Sequence, residues 1–177
     1  IVLSDGSHVW LNSDSRLHFP SAFKAGERRV FVEGEVYFEV VDDARRPFVV
    51  EMGVQVITVL GTAFNIYSYD NVYKSVTTLF TGSLKVTGKD GGREATLIPG
   101  QQSVLDHNTG EIGVREADMA DDIAWRRNII NLEKRTLEEI TAYLSRIYNV
   151  EFKYLDDNAR KVRFRGDVTR SADVETV

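Results

Sequence analysis

Over its first ~115 residues this chain places apolar side chains at every second position and breaks the runs with glycine- and aspartate-rich turns, a period that fits strands and not helices. Val30, Val32, Val36, Phe38 and Val40 share one parity, and Glu33, Glu35 and Glu39 take the other, so one face is expected in a core and the other in water. Gly34 interrupts the apolar face, which predicts a bulge or the close approach of another backbone. Val76, Thr78, Phe80, Leu84 and Val86 repeat the arrangement around Gly82, and Val54 to Tyr69 reads as one long strand or two joined near Gly61. Asp5-Gly6, between Val2-Leu3 and Val9-Trp10-Leu11, predicts a two-residue hairpin of type I′. Lys89-Asp90-Gly91-Gly92, Pro99-Gly100 and Asn108-Thr109-Gly110 supply later turns. The expected architecture is a β-sandwich or jelly-roll-like domain over residues 1–117.

The pattern changes after Glu116. Asp118 to Asp122 is acidic and turn-like, and Ile123-Ala124-Trp125 reads as a short helix or linker anchored by the indole. Ile129 to Leu132 then reads as a strand, and Thr136 with Glu139 three residues later forms a capping box. Leu137, Ile140, Leu144 and Ile147 fall on one face of the helix that follows, with Asn149 as its left-handed cap. Val150, Phe152 and Tyr154 predict a second strand, and Val162, Phe164 and Val168 a third. Residues 118–177 are thus expected to form a small α+β unit of βαββ order. Ser171 would cap a further helix through Val174 and Val177, incomplete at its end. The abrupt start at Ile1-Val2-Leu3 and this cut helix predict an excised fragment.

The charge of −5 arises from 27 acidic and 22 basic residues without a basic block, which argues against nucleic-acid binding. No window approaches the ~20 apolar residues of a membrane-spanning helix, so no membrane insertion by these residues is expected. With no cysteine there is no disulfide, thiolate nucleophile or cysteine metal site.

Chemistry-bearing patterns are sparse. His8, His18 and His107 lack metal-ligand spacing and read as ordinary surface residues, so no metal or other cofactor is expected. Glu33, Glu35 and Glu39 read as a solvated sheet face before they read as catalytic carboxylates. The elbow, phosphate-loop, zinc-protease and dinucleotide motifs are missing, and no enzyme is expected. Tyr67, Tyr69 and Tyr73, with Trp10, offer the alternative of a secreted carbohydrate- or surface-binding module, because aromatic rings stack on sugars. Arg160-Lys161, Arg163 and Arg165 read as cations on one face of the third small-unit strand: a solvated edge, or a strand that recognises an acidic partner.

Several segments carry a family resemblance in order: Leu3-Ser4-Asp5-Gly6-Ser7, Val9-Trp10-Leu11-Asn12, Glu33-Gly34-Glu35-Val36-Tyr37-Phe38-Glu39-Val40, Pro47-Phe48-Val49-Val50, Leu60-Gly61-Thr62-Ala63-Phe64-Asn65, Gly82-Ser83-Leu84-Lys85-Val86 and Pro99-Gly100-Gln101-Gln102. With Ala124-Trp125, Thr136-Leu137-Glu138-Glu139-Ile140 and Tyr148-Asn149-Val150, the chain resembles the periplasmic region of FecR-type anti-sigma factors of the Bacteroidetes kind. Asn128 stands where that pattern leads us to expect glycine. The resemblance implies the periplasmic region of a single-pass inner-membrane protein whose cytoplasmic segment, outside this sequence, holds an extracytoplasmic-function sigma factor. It implies that residues 118–177 begin an STN-like domain, the small signalling domain also found at the N-terminus of outer-membrane TonB-dependent transporters. The expected partner is such a transporter's signalling domain, with Tyr154, Arg163 and Arg165 as candidate contacts. It also raises self-cleavage at Gly61-Thr62, by attack of the Thr62 hydroxyl on the Gly61 carbonyl, against the alternative of a structural bulge.

Overall fold

The computed structural model describes residues 1–89, 91 and 93–171. The turn expected at Lys89-Asp90-Gly91-Gly92 lies partly outside the described residues, and the helix expected after Ser171 lies wholly outside them. The chain forms two compact units, Ile1–Asp122 and Ile123–Val177.

Among the described residues unit 1 is a β domain of eleven strands: β1 His8–Leu11, β2 Arg16–His18, β3 Arg28–Glu39, β4 Phe48–Glu51, β5 Gln55–Val59, β6 Ala63–Ser68, β7 Lys74–Thr81, β8 Leu84–Gly88, β9 Glu94–Leu97, β10 Gln101–Asp106 and β11 Ile112–Glu116. They run in the order β11-β10-β7-β6-β3-β4-β5-β8-β9, with β1 and β2 also paired to β3. The long β3 belongs to both halves of this folded sheet. Its first residues pair with β2 and, in parallel, with β4, and its last residues pair with β1 and β6. The change falls at Gly34, whose φ is +94°, so the bend expected from the break in alternation is present. Apolar side chains from both halves meet in one core, where Phe38 stacks on Phe64 at 5.0 Å and meets Phe48 edge-on at 5.8 Å. Each such ring contributes about 2–3 kcal/mol by leaving water.

Two local expectations change. The Asp5-Gly6 turn is not type I′: only Gly6 has positive φ, and the Gly6 and Leu3 amides donate to the Leu3 and Ser7 carbonyls. That is a three-residue loop in which glycine takes the left-handed position after a type I turn, and it leaves the Asp5 side chain free to turn inward. Glu35 is also not on a wet face. It is 6% exposed, and its carboxylate accepts from the Asn12 and Asn65 side-chain amides at 2.7 and 3.2 Å. The segment after β1 covers this part of β3, whereas Glu33 and Glu39 are exposed as expected. Val54 to Tyr69 resolves into β5 and β6, joined across Gly61.

Unit 1 ends with the short helix α1, Met119–Asp122, and this stretch packs on unit 1 instead of opening the second unit at 118. Asp122 holds it there, accepting from Thr78 Oγ1 at 2.7 Å and Gln102 Nε2 at 3.3 Å. Burial, reinforced by the nearby Asp121 and Asp118 and opposed by the Thr78 hydrogen bond, pushes the Asp122 carboxyl above the usual range. A raised folded-state value stabilises below the ordinary carboxyl range, and that stabilisation fades as pH rises through the raised value. Asp122→Asn is therefore expected to equal or exceed the wild type in stability at pH 7–8 and to lose that advantage in acid, as read from urea midpoints across pH.

In unit 2 a 3₁₀ turn, Ala124–Arg127, precedes β12, Ile129–Asn131. Asn128 closes that turn at φ 57°, a left-handed position that asparagine tolerates in place of the expected glycine. The helix α2, Leu137–Tyr148, begins with the predicted reciprocal capping box and ends at Asn149 in the left-handed conformation. Its Ile140, Tyr143 and Leu144 pack with Ile130 of β12. A 3₁₀ turn over Asp157–Lys161 leads to β13, Asp167–Thr169, which pairs antiparallel with β12. The strand expected at Val150 to Tyr154 does not form among the described residues. Tyr154 instead packs back on α2, its hydroxyl bonded to that of Thr141.

Candidate functional site

Two places carry the sequence-derived candidates. In unit 1 the Gly61-Thr62 corner is built around a fully buried cation, Arg28, which sequence reasoning missed although it has the parity of Val30 and Val32. Its Nε donates to the Arg46 carbonyl at 2.9 Å. One terminal nitrogen reaches both the Asp5 carboxylate and the Val41 carbonyl at 2.8 Å, and the other reaches the Leu60 carbonyl at 3.0 Å. The guanidinium also lies 5.4 Å from the Phe48 ring centre. Burial alone would raise the Asp5 carboxyl, but hydrogen bonds from the Ser7 amide and hydroxyl and from Arg28 outweigh it and hold the group below its usual range.

Gly61 is needed for space, not for φ: a Cβ there would lie 2.6 Å from Asp42 Cα. At Gly82, whose φ is +87°, a Cβ would lie 2.5 Å from the Gly61 carbonyl oxygen. Thr62 is 4% exposed, and both its backbone groups are bonded to Val40, at 3.2 and 2.9 Å. Its hydroxyl donates at 3.5 Å to the Ser83 carbonyl. A cavity of about 220 Å³ beside the corner is lined by Asp42, Leu60, Gly61, Ser83 and Lys85 among others.

The cations of unit 2 do not share one strand face. Arg160 is clamped between Glu138 of α2 and Asp157, both at 3.1 Å, and lies 4.0 Å from the Tyr154 ring centre. Arg163 donates to the Lys134 carbonyl, and its backbone bridges to Thr136. Arg163 and Arg165 are exposed, and Val162 and Phe164, expected to face a core, are 52% and 36% exposed. Leu155 is fully exposed and Phe152 is 37% exposed, so the stretch 152–165 presents apolar side chains together with cations.

The remaining candidates separate. Tyr69 is buried with its hydroxyl on the Ser13 carbonyl at 2.9 Å, and Tyr67 meets it edge-on at 73°, so the tyrosines do not form a flat stacking platform. Trp10 packs between His8 and Tyr37. His107 is not a bare surface residue: Nε2 lies 2.8 Å from the Ser75 hydroxyl, which lies 2.6 Å from that of Ser68. Among the described residues no three His, Cys, Asp or Glu side chains gather as a metal site, and no helix is long and apolar enough to cross a membrane.

Comparison with known proteins gives a consistent result. Residues 1–85 match the FecR protein family model, and residues 129–177 match the model of the FecR C-terminal region. Two crystal structures of a candidate anti-sigma factor from Parabacteroides distasonis superpose with TM-scores of 0.86 and 0.85. The first is 27% identical over 99% of this chain and 81% of its own, and the second 26% identical over 97% and 80%. Comparison with curated proteins gives no match. The two family models and the likeness to these structures support the role of a signal-transduction regulator of the anti-sigma class. Within that class, the chain belongs to the FecR family.

Proposed function

We propose that this chain is the periplasmic sensing region of a single-pass inner-membrane regulator, and that unit 2 reads the signalling domain of an outer-membrane TonB-dependent transporter. The observation that carries this reading is the exposed stretch 152–165, which combines Phe152, Leu155, Val162 and Phe164 with Arg163 and Arg165 on the small unit of a FecR member. Apolar side chains supply affinity when buried by a partner, and cations at their rim steer an acidic one. Tyr154 supports the surface from behind, held by Thr141 and Arg160. Binding there shifts the regulator between two states, and the change passes to the segment that holds an extracytoplasmic-function sigma factor. The chain is expected to bind the cognate signalling domain saturably, and Arg163→Glu with Arg165→Glu is expected to weaken binding about tenfold or more, mainly through a slower on-rate. Unchanged binding by the charge-reversed chain would move the contact elsewhere.

At Gly61-Thr62 the reading is a structural corner without chemistry. An acyl shift needs the Thr62 hydroxyl at the Gly61 carbonyl, and that hydroxyl is directed to Ser83. The purified chain is expected to run as one uncut species on denaturing electrophoresis. Two fragments meeting at residues 61 and 62 would reverse this and make Thr62 a nucleophile.

A further inference from the structure

The connection between β2 and β3 borders a second cavity, whose lining residues belong to neither the Gly61-Thr62 corner nor the surface proposed for unit 2. The ladder places His18 opposite Phe31, and residues 19–27 leave β2 and return to β3 over the end of the core. This connection is pinned in the middle. Phe23 points inward and meets Phe48 edge-on at 5.9 Å. At its far end Arg29 is fixed by Glu27 at 2.7 Å and by Glu51 at 2.8 Å. Between the pinned loop and the ladder lies a cavity of about 550 Å³ walled by Phe19, Pro20, Phe23 and Phe31. That is within the roughly 300–1,000 Å³ typical of small-ligand pockets. Phe19 and Phe31 are 42% and 47% exposed, so the wall of the cavity offers large apolar side chains to whatever enters it.

The charges at the mouth select the ligand. Arg29 is matched by two carboxylates, so its guanidinium fork is not available to a phosphate. Lys24 also lines the cavity and makes no ion pair among the described residues. An ammonium of this kind acts as a point charge on a flexible stem, suited to one small anionic group beside an apolar body. The geometry points to a binding site for a small apolar monocarboxylate, its aromatic or branched body between Phe19 and Phe31 and its carboxylate on Lys24. This site lies in unit 1 and goes beyond the partner contact proposed for unit 2.

Calorimetric titration of the chain with 4-phenylbutyrate and with its neutral amide tests the assignment, and amide chemical shifts locate the binding. The acid is expected to saturate and the amide to bind at least about tenfold more weakly, the usual loss when a charge-assisted contact goes. Lys24→Gln should bring the acid down to the level of the amide, and Phe31→Ser should abolish both. Because Lys24 and Phe31 are exposed, these variants keep the fold, which an unchanged melting temperature verifies. Equal binding of acid and amide, shifts outside residues 18–31, or no saturation below about 10 mM would overturn the proposal. So would binding only of an extended aromatic peptide lacking a free carboxylate, which would make the cavity a protein-docking site.

Discussion

Replacing Arg28 by methionine is expected to destabilise unit 1 by about 3–5 kcal/mol, a third or more of the stability of an ordinary domain. The substitution keeps most of the side-chain volume, so the loss is electrostatic. Asp5, 4% exposed, keeps its charge without the cation that offsets its burial, and the carbonyls of Arg46, Val41 and Leu60 lose their donor at once. These groups come from the first hairpin, from the segment after β3 and from the corner before Gly61, so one guanidinium joins parts of the chain that no single ladder connects. Lysine is not expected to rescue, because one ammonium cannot reach acceptors on so many sides. Combining Arg28→Met with Asp5→Asn should recover part of the loss by removing the buried charge. Urea unfolding measures all three variants against the wild type, and a loss below about 1 kcal/mol for Arg28→Met would show that the network does not hold the unit.

The same network fixes a pH dependence. The Asp5 carboxyl is held below its usual range, so its stabilising share is present above the ordinary carboxyl value and is lost as pH falls through the lowered one. Asp122 has the opposite sign. The wild type is therefore expected to weaken in acid with a slope that Asp5→Asn reduces and Asp122→Asn steepens.

What was legible in the sequence follows from which physical signals are local. The capping box at Thr136 and Glu139, the cap at Asn149 and the turn at Gly6 each concern a few neighbouring residues, and each is where the sequence placed it. Alternation identified β3 and its core face, and applied one step earlier it would have placed Arg28 inward. The preference of arginine for water argued the other way, and only three carbonyls and a carboxylate brought from distant segments reverse it. Glu35 was misjudged for a related reason: alternation says which face a residue is on, not whether another segment covers that face. Val150 to Tyr154 shows the limit from the other side, since alternating side chains do not supply a ladder partner. The β2–β3 cavity had no local signature, because its phenylalanines converge only once Phe23 is drawn into the core.

Gly34→Val is expected to cost about 3 kcal/mol or more and to lower soluble yield, because two separate penalties meet at one position. The first is conformational. At φ +94° a β-branched residue is a backbone outlier, and forcing β3 back to extended geometry would undo the bend by which one strand serves both halves of the sheet. The second is steric: a Cβ would lie 2.4 Å from Ser15 Oγ and 2.8 Å from Ser15 Cα. Ser15 cannot simply move aside, since its hydroxyl accepts from the Glu35 amide at 2.8 Å and donates to the Glu35 carbonyl at 3.1 Å. Displacing it uncovers the buried Glu35 carboxylate and its two amide partners, so the damage spreads from the backbone to a charged group out of water. Gly34→Ala should fall between wild type and valine. Gly53, where a Cβ meets nothing within 4 Å, is the matched control, and Gly53→Ala is expected to stay within about 0.5 kcal/mol of wild type. Thermal unfolding of the three variants separates the readings: if Gly34→Ala and Gly53→Ala melt together, the bend at Gly34 is not what joins the two halves of the sheet.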